Sequence, residues 1–113
     1  MNGLELVASE IFEDVPYNIY SQGGSPCMTS EQLGKCLGYS DRRAINKLVQ
    51  RNEYIKAPEF SGVVKLTTPS GGTQDTRVFT EDGIYEVTML AKTDRAKEFR
   101  AAIRKVVTCS RRL

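Results

Sequence analysis

The chain has 113 residues, 40% of them hydrophobic and 27% charged, with 16 Lys and Arg against 14 Asp and Glu and no His. That is enough for one domain with its own core, and the balance fits an ordinary soluble globular protein. No apolar run approaches the roughly 20 residues that span a bilayer and no charged stretch leads into an apolar one as in a signal peptide, so a cytoplasmic protein with no membrane partner is expected.

Charge is unevenly placed. Residues 1–28 hold Glu5, Glu10, Glu13 and Asp14 with no Lys or Arg, while residues 92–113 hold eight basic residues against Asp94 and Glu98. A polyanion would therefore meet the later part of the chain.

In chain order, Leu4 to Phe12 and Val15 to Tyr20 read as two short strands, rich in β-branched and aromatic residues, with Glu13-Asp14 between them. Residues 21–26 read as a loop, because Gly23 and Gly24 permit positive φ and Pro26 imposes an extended exit. Thr29 or Ser30 caps a first helix, and Thr29 with Gln32 has the spacing of a capping box. Leu33, Cys36 and Leu37 form its apolar stripe, and Gly38 ends it. Ser40 or Asp41 caps a second helix over 41–51.

Residues 52–62 read as irregular, and Pro58 bars a helix interior there. Strands over 63–68 and 76–79 flank a hairpin loop with a Gly-Gly pair. Thr80 caps a third helix over 81–91, apolar on most sides and so destined for the core. Asp94 caps a fourth helix to about Val107, with Ala96, Phe99, Ile103, Val106 and Val107 as its stripe. Residues 110–113 read as a frayed tail. The expected fold is α+β: a small, mostly antiparallel sheet of two N-terminal strands plus the 63–79 hairpin, packed with about four helices.

Cys27, Cys36 and Cys109 match neither a disulfide framework nor a zinc pattern. Without His, a general base would have to be a carboxylate or Lys. The adjacent pairs Glu13-Asp14 and Glu81-Asp82 are better explained as turn and helix-start residues. Ser70 to Thr73 is too short for a phosphate loop. No enzyme, metal or cofactor is expected.

The stretch Ser30–Arg51 carries the functional signal. Arg42, Arg43, Asn46, Lys47, Gln50 and Arg51 fall on one side of the second helix, and Ala44, Ile45, Leu48 and Val49 on the other. Arg bonds guanine in a fork, and Asn or Gln bonds adenine. Arg42, Arg43, Asn46 and Gln50 are thus candidates for base readout, and Lys35, Lys47 and Arg51 for phosphates. Arg100 and Arg104, with Arg111 and Arg112, could form a second phosphate-contacting strip. The pair of helices is helix-turn-helix-like, with a turn one residue longer than the strict motif, since Ile45 lies seven positions after Gly38 rather than six.

Two blocks extend this to a family. Leu37-Gly-Tyr-Ser-Asp-Arg-Arg-Ala-Ile45 resembles the LGY-x-N-P-R-K-A-[IL] block of the BRO N-terminal domain. Phe79-Thr-Glu-Asp-Gly-Ile-Tyr-Glu-Val87 with Ala96-Lys-Glu-Phe-Arg100 resembles that domain's F-x-x-E-x-G-L-Y-x-L and A-x-x-F-[RK] block. The FTEDG segment and Val49-Gln-Arg-Asn52 look equally like other small domains that head phage antirepressors. The likeness covers about residues 15–107. The chain departs from the family at Cys27-Met28, where an aromatic pair is frequent. It departs again at Ala102, where Trp is usual, and at 108–110, where Leu-Pro usually follows the helix.

The resemblance implies a DNA-binding module of a phage or prophage antirepressor-type transcriptional regulator, acting in the cytoplasm of a bacterial host. Such proteins usually carry a second, C-terminal domain, and residue 113 lies where one would begin. Residues 1–113 are therefore expected to be a single DNA-binding domain without it. Double-stranded DNA is the expected partner, and a homodimer would span two half-sites; a monomer by light scattering counts against the dimer. The alternative is a protein-interaction module that binds a phage repressor or other regulator without binding DNA, docking through its acidic N-terminal strands and a sheet edge.

Overall fold

The structure, a computed structural model, describes residues 4–22, 25–39, 42–67, 69–91 and 93–111, without the side chains at 4, 42, 66 and 107–111. It is an α+β fold with one five-stranded antiparallel sheet and four α-helices. The strands are β1 (Leu4–Phe12), β2 (Val15–Gln22), β3 (Ser25–Thr29), β4 (Ser61–Thr67) and β5 (Thr73–Thr80). Their order across the sheet is β1-β2-β3-β5-β4. The helices are α1 (Ser30–Cys36), α2 (Arg42–Arg51), α3 (Glu81–Leu90) and α4 (Asp94–Arg111).

Two hairpins build the sheet. In the first, β1 and β2 join through Glu13-Asp14, both at positive φ (47° and 70°). A two-residue turn with that geometry twists in the same sense as the strands it connects. Arg95 of α4 holds the turn in place: its Nε lies 3.8 Å from the Glu13 carboxylate and its guanidinium 5.7 Å from the Phe12 ring centre. The second hairpin is β4–β5, in unbroken register from Ser61↔Phe79 to Thr67↔Thr73.

The third strand was not expected, since Ser25 to Thr29 reads as a loop followed by a cap. It joins the two hairpins, pairing Tyr20↔Cys27 on one side and Cys27↔Thr80 on the other. Pro26 is tolerated because β5 joins only from Cys27 onward, which leaves Pro26 a neighbour on one side alone. Cys27, Met28 and Thr29 are consecutively buried, so the period-two signal of a half-exposed strand is missing.

Helix starts follow the sequence closely, with two corrections. Thr29 caps α1, its Oγ1 accepting from the Gln32 N–H at 3.5 Å. The capping-box partner acts elsewhere: Gln32 Oε1 accepts from the Asn18 N–H of β2, beyond the point where β3 pairs with that strand. Thr93, not Asp94, caps α4, its Oγ1 accepting from the Ala96 N–H at 3.2 Å and donating to the Leu37 carbonyl at 3.0 Å. Asp94 sits in the first turn, where its charge suits the helix dipole. The expected Ser40 or Asp41 cap lies outside the described residues.

Element bounds also shift. Residues 53–56 form a 3-10 turn inside the segment expected to be irregular. β4 and β5 begin two and three residues earlier than expected. α4 continues to Arg111, through the first half of the expected tail.

The core gathers Ile19, Met28 and Phe79 from the sheet with Leu33, Ile45, Ile84 and Phe99 from the helices. Phe99 anchors one end, with its ring edge-on to Phe12 and Tyr17 at 5.2 and 5.3 Å between centres. Such pairs add about 1 kcal/mol each beyond the area they bury.

Candidate nucleic-acid interface

The turn between α1 and α2 is set by local chemistry. Gly38 takes φ +91°, and the Gly38 and Tyr39 N–H groups donate to the Lys35 and Gly34 carbonyls at 3.2 and 2.9 Å. Those two bonds close the carbonyl end of α1 in the Schellman arrangement. α2 then packs its Ile45 and Val49 into the core, with Ala44 and Leu48 half-buried. Asn52 closes its other end, donating through Nδ2 to the Leu48 carbonyl at 2.9 Å.

With Ile45 and Val49 inward, the 3.6-residue period leaves Arg43, Asn46, Lys47, Gln50 and Arg51 exposed. α2 contains no acidic residue. The face therefore presents cations and amides, with no carboxylate of the helix itself to repel a phosphate. Arg42 is the first residue of the helix, and its side chain lies outside the described residues. Lys35, in the last turn of α1, pairs with Glu31 at 3.5 Å, both more than half exposed. Such a pair contributes little and exchanges readily for another anion.

The expected second strip sits differently. Arg100 is half-buried, and its Nε and Nη2 donate to the Thr88 hydroxyl and carbonyl at 3.1 and 3.4 Å. Arg104 lies over the Tyr85 ring, 5.5 Å from its centre. Both fasten α4 to α3. The side chain of Arg111 and all of Arg112 lie outside the described residues.

Beside α2 an open cleft of about 430 Å³ separates the helix from the β4–β5 hairpin. Asn46, Val49 and Gln50 of α2 line it together with Val63, Asp75 and Arg77 of the hairpin and Lys56 between them in sequence. Lys56 and Arg77 were not singled out in the sequence. One lies in a segment that reads as irregular and the other in a strand, so no helical period links either to the second helix.

Among the described residues, no three His, Cys, Asp or Glu side chains are grouped to hold a metal ion. Burial pushes the thiols up, Cys27 to about 11 and Cys36 to about 12, the latter despite the opposing pull of Arg95. Both are therefore protonated at neutral pH and weak nucleophiles. The same shifts set an alkaline limit. Unfolded thiols ionise near 9 while the buried ones stay protonated, so the folded state binds more protons and stability falls as pH rises. We expect the urea midpoint to drop steadily from pH 9 to about 11; a flat profile would contradict this burial.

The model of the BRO family N-terminal domain matches residues 16–108, most of the chain. The chain belongs to the BRO family. Domains of this kind are associated in general with antirepressor-like and DNA-binding proteins. No curated protein and no solved structure matches the chain. Several residues of both sequence blocks of this BRO N-terminal domain are structural. Leu37, Ile45 and Phe79 are fully buried, Gly38 makes the turn, and Thr80 caps α3 by accepting from the Gly83 N–H at 3.1 Å. The match begins after β1, which is the outer strand of the sheet.

Proposed function

We propose that this domain binds double-stranded DNA as the DNA-binding module of a phage or prophage antirepressor-type regulator. In this reading α1 and α2 act as a helix-turn-helix-like pair, with α1 bracing and α2 entering the major groove. One observation carries it: Arg43, Asn46, Lys47, Gln50 and Arg51 line one exposed face of a helix that has no carboxylate, directly opposite Ile45 and Val49 in the core. Asn46 and Gln50 supply amides that bond adenine, Arg43 the fork that bonds guanine, and Lys47, Arg51 and Lys35 phosphate contacts. Arg42, the first residue of α2 and three positions before Ile45, would contribute charge at the start of the helix rather than share that face by helical period. Arg100 and Arg104, held against α3, would contribute charge near the surface rather than reaching a base. The role is binding, with no reaction catalysed.

Fluorescence anisotropy on a labelled duplex over a salt series tests this. Binding should weaken linearly in log salt, by roughly 0.9 log units per log unit of salt for each phosphate contacted. Affinity that is absent at low salt would refute general DNA binding.

A second reading rests on β1. This outer strand exposes Leu6, Val7 and Ile11 beside Glu5 and Glu10, a surface that suits a protein partner carrying an apolar, basic strand. In that reading the domain captures a repressor through its sheet edge, and charge reversal on α2 leaves that capture intact.

A further inference from the structure

The β4–β5 hairpin projects beyond the core. At its base Ser61, Val78 and Phe79 are buried, but Val63, Lys65, Thr67 and Thr73 to Asp75 are exposed. A two-stranded ribbon with water on both faces gains little from burial, yet this one stays paired through seven residue pairs. It lies alongside the exposed face of α2, across the cleft that Asn46 and Gln50 share with Arg77.

Arg77 is held by a hydrogen bond rather than an ion pair. Its Nη1 donates to Ser61 Oγ at 2.9 Å, and Ser61, 1% exposed, donates in turn to the Ile55 carbonyl at 2.6 Å. This relay fixes the guanidinium at the cleft wall through one of its five N–H donors. Two carboxylates lie nearby: Asp75 lines the same cleft and stands opposite Lys65 in the strand register, and Glu53 lies 3.7 Å from Lys56, both side chains exposed. Among the described residues Arg77 has no carboxylate partner.

We propose that the β4–β5 hairpin is a second DNA-contacting element, lying across the sugar-phosphate backbone beside the groove that α2 enters. Arg77 and Lys56 bind phosphate at the mouth of the cleft, and Lys65 continues the contact along the ribbon. Ser61 is a positioning residue for Arg77. The inference rests on the α2 reading and adds what α2 alone lacks, a grip on the backbone that sets how the helix is seated. Phosphate contacts carry no sequence information, so their loss should weaken all duplexes alike.

The test compares Arg77→Ala, Arg77→Lys, Lys65→Ala and Ser61→Ala with the parent chain on one labelled duplex across a salt series, with circular dichroism and urea midpoints confirming the fold of each. Arg77→Ala and Lys65→Ala should each weaken binding about tenfold and lower the slope of log K against log salt by about one. Arg77→Lys should restore the slope, which a merely structural arginine would not do. Ser61→Ala should weaken binding with the slope partly retained. If charge reversal on α2 abolishes binding while the Arg77 and Lys65 variants keep parental affinity and slope, the hairpin proposal falls and the α2 reading stands. If the parent binds no duplex at low salt, both fall together.

Discussion

Replacing Arg43 and Lys47 together by Glu is expected to reduce duplex binding by about a hundredfold or more at moderate salt, because each reversal removes a cation and sets a carboxylate against a phosphate. Both residues are exposed on α2, one helical turn apart, on the side away from Ile45 and Val49. The core beneath them is therefore left alone, and the far-ultraviolet spectrum and urea midpoint should stay close to parental. A control separates this face from general positive charge. Lys97→Glu with Lys105→Glu changes the net charge by the same amount at exposed positions on α4. If binding is seated on α2, the control loses only a few-fold, the share expected from the protein's overall field. Equal losses in the two variants would mean diffuse attraction to DNA, and retained binding in the α2 variant would remove α2 from the interface.

The largest effect on stability is expected at Gly83. A Cβ there would stand 1.8 Å from the Phe60 carbonyl oxygen and 2.8 Å from its carbon. That oxygen accepts from the Thr80 N–H at 3.0 Å, so moving it away breaks the junction at which β5 turns into α3. Gly83 also donates its own N–H to Thr80 Oγ1, the cap of α3. Backbone pressed against backbone has no rotamer to relax into, and Gly83→Ala should cost about 3 kcal/mol or more, enough to unfold much of the population at 37 °C. Gly62→Ala is the comparison, since a Cβ there meets nothing within 4 Å, and its urea midpoint should remain near the parental value. Parental stability in Gly83→Ala would show that α3 can slide away from the 57–60 turn. The chain has no Trp, so circular dichroism is the practical readout.

Gly83 also shows why the family blocks could be recognised before their meaning was clear. In Phe79-Thr-Glu-Asp-Gly83 each residue answers a local demand: Phe79 fills the core, Thr80 caps, the carboxylates sit at the positive end of the helix, and Gly83 permits close approach. Leu37-Gly-Tyr39 does the same at the end of α1. Such patterns are legible because the forces behind them act within one turn of helix. The segregation of Arg43, Asn46, Lys47 and Gln50 from Ile45 and Val49 is legible for the same reason.

Other features depended on residues far apart in sequence. β3 exists because β2 and β5 flank it, and Ser25 to Thr29 alone carries no alternation to announce a strand. Gln32 reads as half of a capping box, but its side chain completes a hydrogen bond that β3 leaves open on β2. Arg95, Arg100 and Arg104 look alike as basic residues of one helix. In the fold one holds a turn, one bonds Thr88 and one covers Tyr85.

By itself, then, the sequence determined what local physics governs: the helices and the Thr29 and Thr80 caps, the Glu13-Asp14 and Gly38 turns, the apolar stripes, and the polar face of α2. Only the tertiary structure decided which strands are neighbours, which arginines are committed to packing, and that a separate hairpin stands beside α2. Those outcomes turn on pairings between separate segments, from ten or so residues apart for α2 and the hairpin to about fifty for β3 and β5, and no periodicity within either segment encodes its partner.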